Sequence, residues 1–272
     1  EMQRSLVGSE MCIRDRRMGL ERTRRYEQVA RQLMDRRTTP RAAFEGAQRF
    51  VIGLAKKVLL ADYAGKVVAS LSTGGGNGTF VGAWLAALMF MFQIYFDFSG
   101  YSDMAIGLGR IFGFRYCENF DLPYISTSIT EFWRRWHISL SSWFRDYVYI
   151  PLGGNRCSRP KQIRNILAVW LLTGLWHGAA WTFILWGLWF CVLLLGEKFL
   201  WGKYLERLPG LIRWACAMLA VILSWVLFRA ADLEQALAYL GAMFSQTTGL
   251  AQDGQAVYYP VSYTHLRAHE TT

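Results

Sequence analysis

Charge is what this sequence has little of. Asp, Glu, Lys and Arg make up 18% of the 272 residues, against roughly a quarter in a soluble domain. Hydrophobic residues account for 53% and aromatics for 15%. Uncharged stretches cover 79–96, 165–196 and 214–228. They have the length of membrane spans. This argues against a large soluble enzyme with buried helices and predicts an all-α, polytopic membrane helical bundle.

Other absences narrow the chemistry. The five cysteines (Cys12, Cys117, Cys157, Cys191, Cys216) show no paired spacing, so neither a disulfide framework nor a metal motif is implied. There is no H-E-x-x-H and no Cys/His cluster for zinc, and no G-x-S-x-G for a serine triad. Gly74–Gly78 lacks the Lys-Ser/Thr pair that a phosphate loop needs and reads as a turn. No internal repeat is visible. The net charge is +10, and between Arg14 and Lys57 thirteen basic residues face five acids. With no soluble domain beside them, these point to cytoplasmic loops rather than to nucleic acid.

Histidine is scarce too. Four are present, and two fall in a terminus that we set aside. The segment Ser5–Arg16 resembles translated adapter sequence, as does the stretch from Val261 that holds His265 and His269. Residues 1–16 and 261–272 are therefore treated as artefact, which also removes Cys12. Residues 17–260 are read as an internal fragment of a longer membrane protein. The remaining histidines are His137 and His177.

His177 lies in the 165–196 run. As one helix this run would reach about 48 Å, against a hydrocarbon core of about 30 Å. It is too long for one untilted span and too short for two spans with a turn. A break near Gly174 and Gly178 is predicted, with His177 at the break and the two glycines leaving room for a substrate. Basic flanks on both sides fit a hairpin. A buried imidazole stays largely neutral, the form that accepts a hydroxyl proton. An ionisable group at membrane depth is a functional hypothesis by default.

Further candidates lie upstream. The sequence 41–62 reads as an amphipathic helix with Phe44, Phe50, Val51, Leu54, Val58 and Leu59 on its apolar side, interrupted by Arg49, Lys56 and Lys57. Residues 79–98 read as a span. Beyond it Asp97 and Asp103 could do acid–base work or bind metal, or could cap helix ends, with Ser102 or Asp103 opening a helix over 104–112. Ser128 and Glu131 have capping-box spacing and predict a helix running to Tyr149. On that helix Trp133, Trp136, Leu140, Trp143 and Tyr147 would share one face. Arg134, His137, Ser141 and Arg145 would share another. Such a helix lines a polar cavity or lies in the interface. Arg134 and Arg145 would attract an anionic donor or polymer, or pair with Glu131 and Asp146.

Several runs resemble one family. Tyr95–Asp103, Phe132–His137, Ser139–Ser141, Phe144–Tyr147, Tyr149–Arg156 and Gly174–Ala179 look like the membrane-bound O-acyltransferase (MBOAT) family, and are similar to its bacterial branch that O-acetylates alginate. The branch that D-alanylates teichoic acid is related. The resemblance covers about residues 20–250. It implies a ring-like helical bundle with a central pore in the bacterial inner membrane, crossing the lipid bilayer several times. It implies an acyl thioester donor such as acetyl-CoA, with no bound cofactor or metal. It further implies extracytoplasmic partner proteins and a polysaccharide acceptor. His177 matches the invariant histidine of the family and His137 its second motif histidine. A transporter with His177 in a proton relay is the rival reading; it predicts inverted repeats.

Overall fold

A computed structural model describes residues 32–34, 36–73 and 78–245. Both segments read as artefact, and Gly74–Asn77, lie outside these residues. Among the described residues there is no strand; the architecture is all-α.

The first helix, α1 (Pro40–Ala55), opens with the Thr39 hydroxyl accepting from the Ala42 N–H and with proline at its first position, a favoured pairing. A π-helical turn, Lys56–Ala61, leads into α2 (Asp62–Thr73). Helix α3 (Phe80–Ile111) starts on a Thr79 cap. It does not stop near residue 98. It runs on to Ile111, so Asp97, Ser102 and Asp103 sit mid-helix and cap nothing.

Helix α1 explains the extension. It packs against α3 through two reciprocal glycine contacts. A Cβ on Gly46 would meet the Gly107 carbonyl oxygen at 2.6 Å, and a Cβ on Gly100 would meet that of Gly53 at 2.6 Å. Close backbone approach through small residues is how membrane helices associate without a hydrophobic driving force. Charges cross the same seam. Asp103 takes Arg49 at 2.7 Å and Lys56 at 2.6 Å, Lys57 pairs with Asp97, and Glu45 with Arg110. The expected two-sided character holds, with the apolar side turned outward. Arg49, Lys56 and Lys57 serve the packed face, while Phe44, Val51, Leu54, Val58 and Leu59 are exposed.

The predicted 128–149 helix is interrupted. It consists of α4 (Ile129–Arg135), α5 (Ile138–Phe144) and a π-helical turn over Arg145–Tyr149. The Ser128 hydroxyl caps α4 as expected. Helices α6 (Arg159–His177) and α7 (Trp181–Gly196) form the expected hairpin, with the break at 178–180. The hairpin is tight: a Cβ on Gly174 would meet the Phe183 carbonyl oxygen at 2.6 Å. A π-helical turn (Glu197–Trp201) joins α7 to α8 (Gly202–Leu205). Then come α9 (Gly210–Arg229) and α10 (Leu233–Phe244), the latter capped by Asp232.

Among the described residues three helices are long and apolar enough to cross a membrane: Phe80–Ile111, Trp181–Leu205 and Gly210–Arg229. The core between them is largely aromatic, with Phe132, Trp136, Trp186, Phe190 and Trp225 all buried together. It fastens α4 to α7 and α9, and so fixes the segment that leads into His137.

The α1–α3 seam gives a stability test. Gly53→Val places a side chain 2.5 Å from the Gly100 carbonyl oxygen and 2.8 Å from the Met104 nitrogen. Overpacking of this kind costs about 1–3 kcal/mol. The thermal midpoint of the detergent-solubilised full-length protein falls accordingly. Gly210→Ala, with nothing within 4 Å, leaves it in place.

Candidate functional site

His177 is the last residue of α6. Its ring is caged by aromatics from three helices: Trp176 at 4.9 Å between centroids, Trp186 at 5.0 Å, Phe228 at 5.1 Å and Phe183 at 6.1 Å. Among the described residues the imidazole has no hydrogen-bond partner. The glycines beside it do not leave open space for a substrate. Phe183 fills it: a Cβ on Gly178 would meet the Phe183 ring at 2.7 Å.

His137 lies at the break between α4 and α5. It is buried, and its backbone is left-handed, with φ 45° and ψ 55°. Such a conformation costs a non-glycine residue about 1–3 kcal/mol and persists where the surroundings over-determine it. The surroundings here are Asn119. Its backbone oxygen accepts from the Ile138 N–H at 3.0 Å. Its side-chain oxygen accepts from the Ser139 N–H at 3.1 Å and the Ser139 hydroxyl at 3.0 Å, and lies 3.2 Å from Nδ1 of His137. Two N–H groups that a helix start leaves unpaired are thus capped by a residue from another segment. Asn119 is itself 2% exposed, and its amide nitrogen donates to Ser102 at 3.1 Å.

The two imidazoles converge on one indole. Trp176 is 4.9 Å from His177 and 6.2 Å from His137 between ring centroids. Phe98 of α3 closes the other side of His137 at 4.7 Å.

Arg134, Ser141 and Arg145 do not share a helix face with His137, because the helix is interrupted there. They meet instead around a cavity of about 840 Å³. Its wall also holds Ile138, Trp170, Thr173, Lys198 and Arg213. The histidines do not line it, but Ile138 follows His137 directly and Thr173 lies one helical turn before His177. Arg145 pairs with Asp146 at 2.7 Å, as expected. Arg134 does not pair with Glu131. Arg135 takes that carboxylate at 3.0 Å, and Arg134 makes no ion pair or hydrogen bond among the described residues. The Thr127 N–H, ahead of Arg135 and against the effect of burial, holds the Glu131 carboxyl below the usual carboxylate range. Asp97 and Asp103 stand apart from the histidines, committed to the α1–α3 seam. Their neighbours do reach the site: Phe98 packs on the His137 ring, and Ser102 accepts from Asn119.

Sequence reasoning missed Asn119, Ser139, Trp176 and Glu197. The Glu197 carboxylate accepts from the Ile129 N–H at 2.6 Å, the Thr130 N–H at 2.9 Å and the Thr130 hydroxyl at 2.8 Å. It anchors the start of α4 from the end of α7. A capping-box spacing flagged Ser128, but nothing local could flag an acceptor 68 residues on.

With this geometry in place, the class follows. The chain belongs to the membrane-bound O-acyltransferase (MBOAT) family, whose sequence model matches residues 64–205 and so takes in both histidines. It is similar to the protein named "Probable alginate O-acetylase AlgI" of Pseudomonas syringae pv. tomato, at 50% identity over 81% of this chain and 42% of that protein. It is similar to the peptidoglycan O-acetyltransferase of Helicobacter pylori, at 43% identity over 71% of this chain and 37% of that protein. It is also similar to the teichoic acid D-alanyltransferase of Bacillus subtilis, at 37% identity over 52% of this chain and 38% of that protein. The chain spans about two-fifths of the length of the curated relatives it matches.

Removing the Glu197 acceptor tests how α4 is held. Glu197→Ala leaves the Ile129 and Thr130 N–H groups uncapped, a loss of about 1–2 kcal/mol. It appears as a lower unfolding midpoint of the full-length protein, with Glu197→Gln, which keeps an acceptor, falling between the two.

Proposed function

We propose that the protein is an O-acyltransferase of the bacterial inner membrane. It moves an acetyl group from a thioester donor on the cytoplasmic side towards hydroxyls of an extracytoplasmic polysaccharide such as alginate. The convergence of His137 and His177 on Trp176, beside a cavity where Arg134, Arg145, Lys198 and Arg213 outnumber Glu197 and Glu206, carries this reading. The similarity to relatives named for acetyl transfer to alginate and to peptidoglycan supports acetyl as the group.

The chemistry suits two neutral imidazoles. An acceptor hydroxyl attacks the thioester carbonyl carbon. The O–H bond breaks and its proton passes to His177, a C–O ester bond forms, the C–S bond breaks, and the proton is returned to the leaving thiolate. General-base assistance of this kind contributes on the order of 10²–10⁴ in rate. His137 assists as a proton shuttle between His177 and the thiolate. A variant of the same scheme has His177 carry the acyl group between donor and acceptor. The donor, a phosphate-bearing acyl thioester such as acetyl-CoA, is an anion. Arg134, Arg145, Lys198 and Arg213 around the cavity are the groups that would meet it, and Arg134 is uncommitted. Acceptor and partner proteins would approach from the opposite side of the bilayer.

A transporter using His177 as a proton relay makes a different prediction. In cells producing the full-length protein, His177→Ala abolishes acetylation of the polymer while its export continues. Acetyl content at the wild-type level contradicts the assignment, and lost export with normal acetyl content points to the transporter. Arg134→Ala raises the KM for the acyl thioester by roughly tenfold, the size of one charge-assisted hydrogen bond, with kcat little changed. An unchanged KM removes Arg134 from the donor site.

A further inference from the structure

The hydrogen bonds around Asn119 settle more than the helix break. An amide side chain has one accepting and one donating end. The Ser139 backbone N–H, 3.1 Å from Oδ1, can only donate. That fixes Oδ1 towards His137 and Nδ2 towards Ser102. Nδ1 of His137 lies 3.2 Å from this oxygen. Two lone pairs facing each other at that distance would repel, so the contact requires a proton on one of the atoms. An amide oxygen carries none, so the proton is on Nδ1.

Ser139 does not reverse this. Its hydroxyl lies 3.0 Å from Oδ1 of Asn119 and 3.2 Å from Nδ1 of His137. It donates to the oxygen and can accept from the imidazole. The tautomer that results has its N–H at Nδ1 and a bare lone pair at Nε2. Nε2 has no hydrogen-bond partner among the described residues. It is the one nitrogen of His137 able to accept a proton.

We infer that Asn119 is a positioning residue. It fixes the neutral tautomer of His137 so that Nε2 is the proton acceptor, and it holds the imidazole in place by capping the break from which it projects. This rests on the reading of His137 as the proton relay in acyl transfer. The balance is simple. A proton arrives at Nε2, the Nδ1–H keeps its bond to the Asn119 oxygen and strengthens as the ring becomes cationic, and the same Nε2 proton leaves for the thiolate. The role resembles that of an acceptor which sets the tautomer of a catalytic histidine. Here the acceptor is a neutral amide, so it orients the ring without adding a charge to the apolar interior.

The test uses the full-length protein in lipid vesicles, with ¹⁵N-labelled histidine read by solid-state NMR and the His137 signals assigned through their loss in His137→Gln. The wild type is expected to show a protonated Nδ1 and a bare Nε2 at His137. Ser139→Ala keeps that pattern. Asn119→Ala brings in the Nε2–H tautomer and lowers kcat about 10²-fold, with the KM for acetyl-CoA within about twofold, measured on unacetylated alginate. Asn119→Asp, which retains the acceptor, keeps the Nδ1–H form and restores most of kcat. A wild-type proton on Nε2 overturns the inference, as does an Nδ1–H fraction unchanged in Asn119→Ala. If the tautomer shifts as expected while kcat stays the same, the hydrogen-bond assignment stands. The positioning role then falls, and the reading of His137 as relay falls with it.

Discussion

Two backbone N–H groups, those of Ile138 and Ser139, decide where the candidate site lies. A helix that breaks inside a membrane protein must satisfy the donors it frees, because hydrocarbon offers no water to do so. Both donors go to Asn119, one to its backbone oxygen and one to its side chain. Once they are capped there, the chain can turn left-handed at His137 and present the imidazole to Trp176. Without the cap the cheaper arrangement is an unbroken helix, and His137 would then lie on a continuous face with Arg134 and Ser141. Asn119 in turn is held by Ser102 on the longest helix, so the position of the site is set by α3.

The frame around this point uses the two devices open to helices in lipid. Where backbones must approach, glycines face each other: Gly46 with Gly107, Gly53 with Gly100, and Gly174 against Phe183. Where mass is needed, aromatic rings stack and tilt against one another, from Phe132 and Trp136 through Trp186 to Trp225. The aromatic cluster encloses His177 on the face towards α7 and α9. Ion pairs gather along the α1–α3 seam and basic side chains around the cavity of Arg134 and Arg145, while both imidazoles sit among aromatic rings.

The parts of this arrangement that depend on length and local composition could be read in the sequence. The 165–196 run had to break, and it breaks beside His177. Ser128 had to cap a helix, and it does. What could not be read depends on partners far along the chain. Nothing between Ser128 and Tyr149 signals a break at His137; no proline or glycine lies there, and the deciding residue is Asn119. The carboxylates Asp97 and Asp103 looked like caps because their bases, on α1 and the π-helical turn after it, were out of view. Those bases looked like interruptions of an apolar face when they were the packed face. In lipid the apolar side of a helix points outward, which reverses the inference that amphipathicity supports in water. Gly46 and Gly53, spaced like Gly100 and Gly107, were the one local sign of that seam.

The central claim is that His137 and His177 act on one reacting hydroxyl. A double-mutant cycle tests it most directly, with acetyl transfer by the full-length protein measured for His137→Ala, His177→Ala and the pair. Groups that act as a unit are strongly non-additive. The account predicts that the double variant loses little more than the worse single variant. Losses that multiply would mean that the two imidazoles act independently, and would contradict it.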